Sequence, residues 1–133
     1  MGEKRKPKAD KAFDNALSAA RQAFQDARKP VRDVEAVECP PLLETLTKMH
    51  VSLSYAGGNC PVQIEGHVKG RPFYFRARGA SWSLGIGGDP VSEPEWEIER
   101  PYGQWPDAGW MPMHEAYHFL IEAICEWRPK LRP

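Results

Sequence analysis

The stretch Pro61–Gly88, PVQIEGHVKGRPFYFRARGASWSLGIGG, decides the fold. It reads as a three-stranded β-meander. Lys69-Gly70 is a two-residue hairpin turn with glycine in second place, and Gly79-Ala80 is another with glycine first, as a type II′ turn wants. Counting outward from the first turn pairs Val68 with Arg71, Gly66 with Phe73, Ile64 with Phe75 and Val62 with Ala77. Counting from the second pairs Ala77 with Trp82, Phe75 with Leu84 and Phe73 with Ile86. Both counts put Phe73, Phe75 and Ala77 on the same apolar face. A slip of one residue in either hairpin would invert every side chain, so the agreement specifies the register. The opposite face then carries Gln63, Glu65, Tyr74, Arg76 and Arg78.

Outward from the meander, Glu95–Arg100 alternates again and predicts a fourth strand. Parity sends Trp96 and Ile98 to the core with Trp82, and Glu95, Glu97 and Glu99 away from it. A loop rich in Pro, Gly and Trp follows over 101–111. Pro112 opens a helix with the apolar stripe Met113, Ala116, Tyr117, Leu120, Ile121 and Ile124, and Pro129 ends it. Towards the N-terminus, residues 30–39 read as a connector. Pro40-Pro41 starts a helix in which Leu43, Leu46, Met49, His50 and Leu53 keep helical spacing as far as Gly57-Gly58. Val51–Tyr55 also alternates like a strand, but the longer pattern favours helix. Another helix is predicted over 10–29, capped by Asp10, with Phe13, Leu17, Ala20 and Phe24 on one stripe. Residues 1–9 form a basic flexible arm. The expected architecture is α+β: one domain over 10–133, a four-stranded antiparallel meander sheet with helices on one face, in the order helix–helix–β–β–β–β–helix. The helix 10–29 packs either on that domain or apart from it.

An apolar fraction of 41% and a charged fraction of 27% in 133 residues are those of an ordinary globular protein. The formal net charge of zero excludes a global field drawing the chain to nucleic acid or membrane. Charge is nonetheless uneven. Lys4, Arg5, Lys6 and Lys8 crowd one end, and the glutamates at 93, 95, 97 and 99 form an acidic comb. Cys39, Cys60 and Cys125 share no short metal spacing, which points to reduced thiols. No apolar run approaches the roughly 20 residues of a membrane span. The basic N-terminus lacks the apolar stretch of a signal peptide, so a cytoplasmic location is expected.

Several constellations bear on function. His114-Glu115-Ala116-Tyr117-His118 matches the H-E-x-x-H pattern, in which two histidines one turn apart grip zinc and the glutamate activates its water. Glu122 is the near candidate for a further ligand, and no H-x-x-G-x-x-H continuation follows. The bland alternative puts both histidines on a helix rim. The outer face of the meander, with Gln63, Glu65, Tyr74, Arg76 and Arg78, either stabilises the sheet through cross-strand polar pairs or binds a partner. Trp105 and Trp110 either fold back as a lid or extend that partner-binding surface. Nucleic acid is a further candidate partner through Lys4, Arg5, Lys6 and Lys8 and the sheet face. Register buries the phenylalanines that would stack on bases, however, and the comb opposes phosphate. Gly85–Gly88 is not followed by Lys-Ser/Thr or by a helix, so it is not a phosphate loop, and no G-x-S-x-G elbow occurs.

The run Leu53-Ser54-Tyr55 with Gly57-Gly58, then Pro61-Val62-Gln63, Glu65-Gly66, Phe73–Arg78, Trp82, Glu95-Trp96 and Ala108–Pro112, resembles a group of small bacterial proteins of uncharacterised activity. These are associated with phage and mobile-element gene neighbourhoods. The resemblance runs from about residue 45 onward and leaves out His114 and His118. It transfers no catalytic residue and no cofactor. It implies an accessory protein that acts by binding a host component. The expectation is a non-enzymatic binding protein whose partner is another protein or complex, in its most concrete form a phage-type inhibitor. A zinc-dependent hydrolase on His114, Glu115 and His118, and a nucleic-acid binder, are the alternatives.

Overall fold

Five strands follow one another in a single antiparallel sheet, in spatial order β1-β2-β3-β4-β5, in the computed structural model, which describes residues 33–132. They are β1 (Val51–Gly57), β2 (Val62–Val68), β3 (Arg71–Arg78), β4 (Ser81–Asp89) and β5 (Glu93–Pro101). Helix α1 covers 33–48 ahead of the sheet and α2 (Met113–Trp127) follows it. The basic arm at Lys4–Lys8 and the helix expected over 10–29 lie outside the described residues. Among the described residues, no helix is long and apolar enough to cross a membrane.

The meander takes the register read from its turns. Ile64 faces Phe75 and Val62 faces Ala77 between β2 and β3, and Phe73 faces Ile86 and Ala77 faces Trp82 between β3 and β4. Lys69 and Gly70 both take positive φ, 49° and 80°, and Gly79 sits at 69° as the first residue of its turn. Burial alternates strictly along β2 and β3, so one face of the sheet is core and the other is wet.

Two expectations need correction. The sheet has five strands, not four, because Val51–Gly57 is the edge strand β1 and not the end of a helix. The chain reverses at His50, whose φ of 65° breaks the helix, and Val51 pairs with Val68. The Lys69 amide donates to the His50 carbonyl at 3.1 Å, closing that end of the ladder. The helix before it also starts earlier than Pro40: residues 33–39, expected as connector, are already helical, and α1 runs through Pro40-Pro41 to residue 48. Pro40 offers no amide to the Ala36 carbonyl, a local cost. Burial of Leu46 and Met49 at 1–2% exposure, with Leu42 and Leu43 packed beside them, outweighs it.

Both helices pack on the inner sheet face, where Leu120 and Ile124 of α2 join Phe73, Phe75, Leu84 and Ile86 in one core. Each large side chain removed from water there contributes about 1.5–3 kcal/mol. The rings of Phe75, Trp82 and Phe119 stack in sequence at 5.5 and 5.3 Å and tie α2 to the sheet. Trp82 is core as expected, but Trp96 is only half-buried at the margin. Pro112 supplies no side-chain cap to α2. Glu35 of α1 does so instead, accepting from the Met113 amide at 2.5 Å, which joins segments 78 residues apart.

Candidate functional site

The outer face is built from alternate residues of four strands. β3 contributes Tyr74, Arg76 and Arg78. β2 sets Gln63 beside Arg76 and Glu65 beside Tyr74, and the Gln63 amide donates to the Tyr74 hydroxyl at 2.7 Å. On the other flank β4 sets Ser83 against Arg76 and Ser81 against Arg78. β5 sets Glu99 against Ser83. The direct cross-strand neighbours of both arginines are therefore uncharged. Other arginines of the protein are satisfied: Arg71 meets Glu95 at 2.5 Å and Arg100 meets Glu126 at 2.8 Å. Among the described residues no carboxylate lies within ion-pair distance of Arg76 or Arg78.

The small side chains of Ser81 and Ser83 leave a depression of 340 Å³ between Arg76 and Arg78 on one wall and Glu99 on the other. One oxygen of Glu99 is held by the Ser81 hydroxyl at 2.8 Å. The trough does not continue along β4. The chain after β4 folds back over Gly85, where a Cβ would stand 2.4 Å from the Pro90 carbonyl oxygen. At the other end stands Trp105. Its ring lies over Gly79, with Cδ1 3.4 Å from the place of a Cβ there, and the residue is 58% exposed. Backbone bonds hold that segment in place: the Ala108 amide donates to the Gly79 carbonyl at 3.0 Å and the Tyr102 amide to the Ala80 carbonyl at 2.8 Å.

Of the residues singled out from sequence, Arg76 and Arg78 line this depression and Trp105 stands at its end. Gln63 and Tyr74 lie alongside, tied to each other, and exposed Glu65 is one row further from the turn. Trp110 is half-buried at the end of a short 3-10 turn, Asp107–Trp110, and is not among the lining residues. Ser81, Ser83 and Glu99 were not singled out as site residues. The signal for Ser81 and Ser83 was present in β4, where every outward position before the turn is Ser or Gly. Phe73 and Phe75 are fully inside, so base stacking on this face falls to Tyr74 and Trp105.

The H-E-x-x-H residues lie elsewhere, along an apolar groove of 540 Å³ between α1 and α2, bordered by Val37, Pro41, Leu42 and Phe119. Their polar atoms are turned to different partners. His118 meets Glu122 at 3.1 Å along the helix, and Glu115 accepts from the Tyr102 hydroxyl. His114 Nδ1 is buried without a hydrogen-bond partner. Among the described residues, no three His, Cys, Asp or Glu side chains come together as a metal-holding group. The thiols of Cys39 and Cys125 are pushed up, first by burial, which opposes the thiolate that nucleophilic or metal chemistry needs.

The candidate site is thus a polar recess lined by two arginines and one glutamate, with an aromatic end, on the solvent side of the sheet. No protein-family model matches the chain, and no curated protein or solved structure shows significant similarity to it.

Proposed function

We propose that this chain is a small binding protein that engages a protein partner through the outer face of its sheet. The observation that carries this reading is the pair Arg76 and Arg78, which among the described residues form no ion pair, in a recess shared with Glu99 and ended by an exposed tryptophan. Arginine, tryptophan and tyrosine are the side chains most enriched where binding energy concentrates. A sheet face of this kind is also more rigid than a loop, so less order is lost on association. A purely structural role would favour pairing the arginines across the strands, as Arg71 is paired with Glu95.

The resemblance to phage and mobile-element proteins favours one form of this function, an inhibitor that occupies a host protein complex. The three cysteines are free thiols, which suits a reducing cytoplasm. The test is capture of partners by the full chain from a bacterial lysate, run beside Arg76→Ala/Arg78→Ala and Trp105→Ala chains. A partner held by the parent chain and lost by these variants, with melting temperatures unchanged, is the expected result. Equal capture by the variants would remove the sheet face as the binding surface.

A further inference from the structure

We infer that the recess between β3 and β5 takes a side-chain carboxylate from an acidic segment of the partner. The inference rests on the reading of the outer face as a binding surface and adds the chemistry of what that surface recognises. Arg76 and Arg78 stand two residues apart on one face of β3, about 7 Å along the strand, close enough for both guanidinium groups to flank a single anion. Ser83 lies directly across from Arg76. Its hydroxyl, unlike that of Ser81, is not committed to Glu99, and so supplies a third donor. Trp105 at the turn end offers an apolar surface to the methylene stem of an Asp or Glu side chain.

The far wall decides between kinds of anion. Glu99 lines the recess, and Glu97, two residues earlier on β5, stands opposite Gly85 beyond its lining. A phosphate monoester, with nearly twice the charge of a carboxylate, meets roughly twice the repulsion from these groups. A carboxylate keeps the paired guanidinium contacts at half that cost. The protein itself uses an arginine–carboxylate pairing at Arg71–Glu95 and Arg100–Glu126. The same acidic wall opposes a nucleic-acid backbone, which would bring a phosphate at every step.

The test is a titration of the isotope-labelled full chain, read at the arginine Nε–H and tryptophan indole N–H resonances. The probes are three peptides identical except for a central Glu, Gln or phosphoserine. Saturable shifts at Arg76, Arg78 and Trp105 with the Glu peptide are expected. Binding of the Gln peptide should be at least roughly tenfold weaker, the loss of one charge-assisted contact. Arg76→Gln/Arg78→Gln should abolish the response while leaving the remaining spectrum in place. Equal binding of Glu and Gln peptides, tighter binding of phosphoserine, or no saturable shift overturns the carboxylate assignment. Capture of a partner that still depends on Arg76 and Arg78 would leave the binding surface standing in that case. Capture that ignores both arginines would remove the surface and the inference together.

Discussion

Replacing Gly66 by alanine is expected to loosen the edge of the sheet more than any change of equal size in its turns. Gly66 takes no unusual φ; the constraint is space. A Cβ there would stand 2.0 Å from the Ser52 carbonyl oxygen and 3.0 Å from the Leu53 Cα. Both obstacles are backbone, so no rotamer relieves the clash and β1 itself has to move. If β1 stays paired, overpacking costs about 1–3 kcal/mol. If it lifts, Val51, now 7% exposed, loses its burial and half-buried Leu53 loses part of its own. That route costs about 2–4 kcal/mol at 1.5–3 kcal/mol for each fully buried side chain. Either way a sizeable share of a stability of about 5–15 kcal/mol is lost, and the melting temperature should fall by about 4–16 °C. Gly70→Ala is the control: it meets open space and carries only the strain of a φ of 80°, about 1–2 kcal/mol. Urea unfolding of the full chain followed by circular dichroism gives the two costs, and hydrogen exchange of the β1 amides shows where the loss falls. A Gly66→Ala loss smaller than that of Gly70→Ala would refute the close passage of β1 over Gly66.

Three further outcomes follow from the packing. Glu35→Ala removes the acceptor and the negative charge at the start of α2 and should cost about 1–2 kcal/mol in chemical unfolding, with Glu35→Gln costing less. The Tyr117 phenol is pushed up first by burial and then by Cys39 and Glu35. Its contribution is therefore complete below the unfolded value near pH 10 and falls as pH rises towards the folded one. Urea midpoints taken through that range should drop less steeply in Tyr117→Phe than in the parent; Cys39 and Cys125 keep the same sign in both chains and leave the difference intact. A Cβ on Gly109 would meet the Cys60 sulfur at 2.7 Å and its Cα at 3.1 Å. Gly109→Ala should thus destabilise by about 1–3 kcal/mol, and adding Cys60→Ala should restore part of it in a thermal double-mutant cycle.

The meander was legible because two independent turns, at Lys69-Gly70 and Gly79-Ala80, imposed the same parity on β3. No comparable signal marked β1. Its alternation is only five residues long and continues a helical spacing from Leu43. What separates the two is the reversal at His50 and the space reserved by Gly66, both tertiary facts. Pro40-Pro41 misled in the other direction, because proline is so much at home in a first turn that its place inside α1 has no local sign. The arginines of the outer face could be named from register alone. The recess could not, since it needs two serines from β4, a glutamate from β5 two strands away, and Trp105 returned to Gly79 by a bond from Ala108. The H-E-x-x-H pattern was visible and its distribution was not: Tyr102 and Glu122 engage Glu115 and His118 separately.

Every ladder of this sheet joins strands that are neighbours in the chain. Such a sheet closes by short loops, each at small entropic cost, and its contacts are of low order, which favours rapid assembly. The helices are different. The bond from Met113 to Glu35 joins residues 78 apart, and all five strands lie between its ends. During synthesis the hairpins can therefore pair one after another, while the apolar side that carries Phe73, Phe75 and Leu84 waits for α2. The interval between those two events is when the core side of the sheet is open to other chains, and in the folded protein α2 covers it, with Phe119 stacked on Trp82.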